Sequence, residues 1–408
     1  MKINKFIFGL LIIAILITSC NMDNDEYEAE IKNENKKVEK LDIDKSEDNI
    51  KKIISQMSHE EKISQLFILG FNDNKYSEEL EDLIIDEKIG GLIFFDRNIS
   101  SLEELKELNY KIDKTNKENN KIPMFISLDE ESKTVSRLGK IYESLPSLLE
   151  IGNKNSFSIS YDYGKLLGMR LINTGFNLNF SPVVDINSNP NNPVINVRSL
   201  GADAEVVSNN AIAIAKGQNS MRVISCIKHF PGHGDTNTDS HLEVPKIEKS
   251  IQDLLDLELI PFINCIQEEV DMIMISHIFL PKLDNKIASL SDVIMKEILT
   301  DQLGYKGVII SDDLTMNASN LSKKENAAYE FIIAGGDIAL VSHDINIYYE
   351  AKKMLLEDIK NEEFEKEIDE KIYKILCLKD KYNLKDKKID FYKDDYINQE
   401  TERIKGGI

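Results

Sequence analysis

The stretch Lys228 to His241 reads Lys-His-Phe-Pro-Gly-His-Gly-Asp-Thr-Asn-Thr-Asp-Ser-His and holds three of the chain's six histidines and two aspartates. It follows the apolar run Val223 to Ile227, whose length reads as a buried strand, and Pro231, Gly232 and Gly234 forbid a helix beyond it. Proton-handling groups therefore crowd a strand's C-terminal exit. An imidazole titrates near neutrality and can both give and take a proton, and a neighbouring carboxylate fixes its orientation. A zinc site is the alternative, because His229, His233, Asp235 and His241 are all donor types. A His-x3-His pair grips metal best from one helical face, however, and Pro231 and Gly232 break that face.

A second constellation lies at Gly307 to Met316, where the apolar run Val308 to Ile310 leads through Ser311 into the adjacent aspartates Asp312 and Asp313. Only one of the two can point into a site at that exit, and Asp313 is expected to cap the next helix. Cleaving a glycosidic bond with retention needs a carboxylate nucleophile and a separate proton donor. Asp312 and His241 are of the right types.

These groups need a frame that brings strand exits together. Short apolar runs at Leu66–Leu69, Gly91–Phe95, Met124–Leu128, Asn177–Phe180, Val223–Ile227, Met272–Ile275, Val308–Ile310 and Asp337–Val341 alternate with helical patterns at 101–116, 158–173, 204–218, 251–268 and 291–303. This β-then-α rhythm predicts an α/β fold, a single (β/α)8 barrel of the TIM type, with the active site at the C-terminal ends of the strands. Asp129, Lys228, His229, His277 and Asp312 all fall at such ends. A doubly wound sheet is the runner-up, but the Gly-rich turn expected after its first strand is missing.

The chain has 408 residues, enough for one large barrel, and a net charge of −21, which argues against nucleic-acid partners and favours a neutral or small substrate. Residues 1–20 resemble a bacterial lipoprotein signal peptide: Lys2 and Lys5, an apolar stretch from Phe6 to Ile17, and a lipobox-like Ile17-Thr18-Ser19-Cys20. Cys20 is the expected lipidation site, which would place the protein at the extracytoplasmic face of the cell membrane. Residues 21–49 are charged and too poor in apolar surface to fold, so they read as a tether. Ser58 and Glu61 form the pattern of a capping box near the start of a folded domain spanning 50–385. After the helical residues 345–378 the charged stretch 386–408 is expected to fray. Cys226, Cys265 and Cys377 are an odd number in apolar or helical surroundings and are read as packing residues.

Taken together, Asp129-Glu130-Glu131 with Arg137, Asn177 to Asp185, Asn192 to Gly201 with Arg198-Ser199, Lys228 to His241, Met274 to His277, Ala288 to Ser291 and Ser311 to Met316 resemble family 3 of the glycoside hydrolases. Within it, they resemble the β-N-acetylhexosaminidase branch. The resemblance implies that Asp312 is the nucleophile and that Asp239 and His241 are an acid/base dyad, Asp239 orienting and His241 moving the proton. It also implies that Asp129, Arg198, Lys228 and His229 hold the sugar, with no metal or organic cofactor. His233 is assigned to loop structure, and His277 equally to bracing or to substrate contact.

One departure stands out: the family's usual Asp-Gln-Glu-Gly-Gly is here Asp129-Glu130-Glu131-Ser132-Lys133, which predicts a reshaped loop after the third strand. The expected activity is removal of terminal β-linked N-acetylglucosamine from peptidoglycan fragments or related glycans. A phosphorylase is the nearest rival, since a histidine acid tolerates an approaching phosphate, and a non-catalytic sugar-binding lipoprotein is the rival from another class.

Overall fold

The computed structural model describes residues 43–236, 244–316, 326–386 and 392–408. Cys20, Asp239 and His241 lie outside the described residues. Eight parallel strands run as β1 Phe67–Gly70, β2 Gly91–Ile93, β3 Phe125–Leu128, β4 Leu178–Asn179, β5 Ile224–Phe230, β6 Met272–Ile275, β7 Val308–Ser311 and β8 Ala339–Val341. Each pairs with the next in sequence from β1 to β7, and β8 pairs with β1. The seam between β7 and β8 is closed by a parallel bridge from Ile310 to Ile338, with Ile338 N donating to Ile309 O at 3.0 Å and Ser311 N to Ile338 O at 3.1 Å. The sheet is a closed (β/α)8 barrel, and the open doubly wound alternative falls.

All eight expected strands are present because barrel strands are buried on both faces and so read as unbroken apolar runs. The helices begin where the sequence offers caps. Ser58 and Glu61 form the capping box, Ser101 Oγ accepts from Glu104 N, and Asp203 accepts from Glu205 N and Val206 N. The Phe157–Thr174 helix ends at Gly175, whose φ of 95° suits a residue without Cβ.

Four boundaries differ from the sequence expectation. β5 continues through Lys228 and His229 to Phe230, so these residues belong to the strand rather than to the loop after it. The helix expected over 251–268 is two, Ile251–Leu255 and Ile260–Gln267, the second opening with Pro261 in its first turn, where a missing N–H costs nothing. The end of the stretch read as a tether is helical from Ile43 to Ile54, and Ile50 and Ile54 are buried. At the C-terminus, residues 392–408 are not frayed: Asp394–Gly407 is a helix that packs on Phe157–Thr174 with Ile397, Thr401 and Ile404 buried.

Candidate active site

The C-terminal mouth of the barrel holds a cavity of about 330 Å³. Even-numbered strands supply its apolar surface, with Ile93 on β2, Phe180 just past β4, Met274 on β6 and Leu340 on β8. Odd-numbered strands supply its charge, with Asp129 just past β3, Lys228 and His229 on β5 and Asp312 just past β7. This alternation is how barrel interiors fill in layers. Lys228 and His229 are neighbours in one strand yet both line the cavity. The β5–β6 register shifts between Lys228 and Phe230, and such an irregularity re-aims side chains beside a site.

A buried carboxylate organises the cations. Glu131 takes Arg198 in a two-pronged grip, Nε to Oε2 at 2.9 Å and Nη2 to Oε1 at 2.8 Å, and its Oε1 also lies 2.6 Å from Lys228 Nζ. Lys228 Nζ donates in addition to Asp129 Oδ1 at 2.7 Å. Burial alone would push the Glu131 carboxyl up, but Arg198 and Lys228 hold it well below the usual carboxylate range. Burial likewise opposes the charge on Lys228, and the carboxylates of Asp129 and Glu131 outweigh it, so its ammonium is kept. Asp129 Oδ2 lies 3.7 Å from Arg137, whose Nη1 is held by Asp96 at 3.0 Å. The result is a rigid array of donors and acceptors suited to the hydroxyls of a sugar.

His229 is held by a second buried carboxylate. Its Nδ1 lies 2.6 Å from Asp185 Oδ2, and Asp185 Oδ1 accepts from His233 N at 2.6 Å. Burial raises the Asp185 carboxyl, and the neighbouring imidazoles of His229 and His233 more than offset it. Asp312 sits at the β7 exit with Oδ1 accepting from Asp313 N at 2.8 Å. Burial would neutralise Asp312 too, but His229, His277 and that amide hold its carboxyl below the ordinary aspartate value, leaving an ionised oxygen facing the cavity.

Asp313 is structural: its Oδ1 accepts from Thr315 N and Ser342 N, tying the β7 exit to the β8 exit. His277 braces the mouth rather than facing it, with Nδ1 2.7 Å from Ser289 Oγ and Nε2 2.9 Å from Asp313 O. His233 does what the sequence suggested, with Nδ1 3.0 Å from Thr236 Oγ1, but it also lines the cavity. Gly232, at φ 121°, packs on Glu258, and a Cβ at Gly234 would lie 1.6 Å from Ile186 O, so only glycines let this turn close.

The loop after β3 needs no glycine. Neither Ser132 nor Lys133 has a positive φ, and the turn is closed by Glu131 N and Ser132 N donating to Val135 O at 2.9 and 3.1 Å. Glu131 consequently reaches the cavity despite the departure in sequence. The three remaining cysteines are free. Cys226 and Cys265 are buried, and burial raises both thiols, which leaves them inert packing groups.

The profile of the glycosyl hydrolase family 3 N terminal domain matches residues 58–378, most of the chain. The chain belongs to glycoside hydrolase family 3. Within the family it is similar to curated β-hexosaminidases. It is 35% identical over 282 residues to β-hexosaminidase A of Pseudoalteromonas piscicida, covering 64% of this chain and 47% of that one. It is 34% identical over 278 residues to the β-hexosaminidase of Neisseria meningitidis serogroup B (strain ATCC BAA-335 / MC58), covering 65% of this chain and 75% of that one. The chain thus spans about half of the first relative and three quarters of the second. Among solved structures, a family 3 β-N-acetylglucosaminidase from Paenibacillus sp. str. FPU-7 superposes with a TM-score of 0.81 at 31% identity, over 85% of this chain and 68% of that one.

Asp129, Arg198, Lys228, His229 and Asp312 thus converge on one cavity. Glu131 and Asp185, the two buried carboxylates that set the cations and the imidazole, are not singled out by the sequence alone. Both stand inside the family motifs, yet nothing in spacing tells which of three adjacent acids turns inward.

Proposed function

We propose that this family 3 member is a retaining, exo-acting β-N-acetylglucosaminidase that releases terminal N-acetylglucosamine from peptidoglycan fragments or related glycans. Asp312 attacks the anomeric carbon and forms a covalent glycosyl-enzyme. His241, oriented by Asp239, protonates the departing oxygen and then takes a proton from the incoming water. Asp129, Lys228, His229 and Arg198 hold the sugar's hydroxyls. The roles of Asp239 and His241 rest on the family motif Asp239-Ser240-His241, since these residues lie outside those described. The observation that carries the reading is the ionised Asp312 in the same cavity as the carboxylate-cation array of Asp129, Glu131, Lys228 and Arg198.

The test is turnover of an aryl N-acetylglucosaminide and of cell-wall digests, with and without phosphate, followed by mass analysis. Free N-acetylglucosamine in both conditions is expected, and Asp312→Ala is expected to lower kcat by 10³-fold or more, on the order of losing a covalent nucleophile. Sugar 1-phosphate as the product would make the protein a phosphorylase, and full activity in Asp312→Ala would remove that residue from the mechanism.

The reading includes export and attachment to the membrane through a lipid on Cys20, with the barrel on the extracytoplasmic side. Its support is the composition of residues 1–20.

A further inference from the structure

His233 is 2% exposed, and almost every polar atom it owns is already engaged by the protein. Its backbone N donates to Asp185, its carbonyl accepts from Asn192 Nδ2 at 2.8 Å and from Thr236 Oγ1 at 3.1 Å, and its Nδ1 lies 3.0 Å from the same Thr236 oxygen. Asn192 Nδ2 in turn lies 3.2 Å from Thr236 Oγ1. These contacts fix the plane of the ring. The remaining atom, Nε2, is buried without a hydrogen-bond partner among the described residues. His233 is among the residues that line the cavity, with Asp312 and with His229, whose ring centroid is 5.9 Å from its own.

A loop-holding role needs Nδ1 alone and leaves a buried polar nitrogen unexplained, which folded proteins seldom tolerate without a use. Burial, with the nearby His229, pushes His233 down to about 4, so the ring is neutral and has one N–H and one bare nitrogen. The Thr236 hydroxyl has a single proton, and its contact with the His233 carbonyl uses it. The proton of the ring is therefore assigned to Nδ1, directed at Thr236 Oγ1, and Nε2 is left as an acceptor.

We propose that His233 is a substrate-binding residue whose Nε2 accepts a hydrogen bond from a hydroxyl or amide N–H of the sugar held against Asp312. The assignment rests on the sugar-cleaving activity proposed for this site and adds to it a recognition contact from the loop that the motif alone assigned to structure. His233 meets the substrate side by side with the nucleophile, and Thr236 and Asn192 keep its ring from rotating away.

Two substitutions separate binding from loop support, because an asparagine amide falls near Nδ1 and a glutamine amide near Nε2. His233→Asn keeps the contact to Thr236 and is expected to melt within a few degrees of the parent, yet to bind N-acetylglucosamine roughly tenfold more weakly, the worth of one buried hydrogen bond. His233→Gln loses the Thr236 contact, melts lower, and is expected to retain more of the sugar affinity and of kcat/KM than the asparagine variant. Calorimetric titration with N-acetylglucosamine and kcat/KM on an aryl N-acetylglucosaminide are measured for all three proteins. Parental affinity in His233→Asn, or an affinity order with asparagine above glutamine, overturns the proposal. Binding also separates this proposal from the activity: a parent that binds the sugar but never turns it over sinks the hydrolase reading and leaves the His233 contact decided by titration.

Discussion

Glu131 touches both Arg198 and Lys228, and each of those cations is nearly buried. Replacing it with glutamine leaves two charges in a low-dielectric pocket with Asp129 as the nearest remaining acid, and breaking a buried pair in this way costs about 3–5 kcal/mol. Because the Glu131 carboxyl is held below its unfolded value of 4.5, its contribution is fully present above that pH and is lost as the solution is acidified below it. Glu131→Gln is therefore expected to be less stable than the parent at pH 7, with the gap narrowing below pH 4.5. Urea melts of both proteins at pH 7 and pH 4 measure it, and a gap that stays constant or widens in acid would show that the carboxylate is not what the cations stabilise. Residue chemistry in the sequence located Asp312, Lys228 and His229 because each type was rare or placed at a strand exit. It could not rank Asp129, Glu130 and Glu131, whose three side chains diverge: Asp129 and Glu131 reach Lys228, and Glu130 turns away to Arg170.

At the scale of elements, the strands were legible and the chain's last helix was not. Burial on both faces writes an apolar run that hardly depends on context, whereas Asp394–Gly407 is polar overall and shows its buried face only as Ile397, Thr401 and Ile404, at helical spacing of four and three. That face has a consequence for the site. Arg170, fully buried, donates from Nη2 to Thr401 Oγ1 at 3.0 Å and from Nη1 to Glu130 Oε1 at 3.1 Å, and Glu130 stands between Asp129 and Glu131 in sequence. Glu130 also accepts from Ser136 Oγ and Leu138 N, which close the loop after β3. Removing the last helix uncovers two isoleucines, each worth about 1.5–3 kcal/mol of burial, and takes from Arg170 one of its acceptors. A chain ending at Leu384 is expected to melt about 5–15 °C lower and to lose kcat/KM through a looser Asp129–Glu131 loop, whereas Thr401→Ala shows a milder form of both. Calorimetry paired with kinetics on the two variants checks this. Truncation that lowers the melting temperature while leaving kcat/KM intact would confine the helix to stability.

For the molecule as a whole, net charge decides which surfaces it is drawn to. The net charge is −21, so a folded domain of this composition is repelled by an anionic lipid surface and gains nothing from lowering the salt. Among the described residues no helix is long and apolar enough to cross a membrane. The lipobox-like Ile17-Thr18-Ser19-Cys20 offers the chemistry of the proposed anchor, a thiol that accepts a diacylglycerol. Cys20→Ala is accordingly expected to move the protein from the membrane fraction to the soluble fraction, at low salt as well as high. Its kcat/KM on a soluble aryl substrate should equal that of the parent, because residues 21–42 separate Cys20 from the first of the described helices, Ile43–Ile54, and no residue of that helix lines the cavity. Fractionation of cells expressing the two forms, followed by assay of each fraction, reads both quantities. Retention of the alanine variant on membranes that high salt strips away would point to a charged surface patch as the anchor, and retention that salt leaves untouched would point to the apolar residues 6–17 remaining in the bilayer as an uncleaved segment.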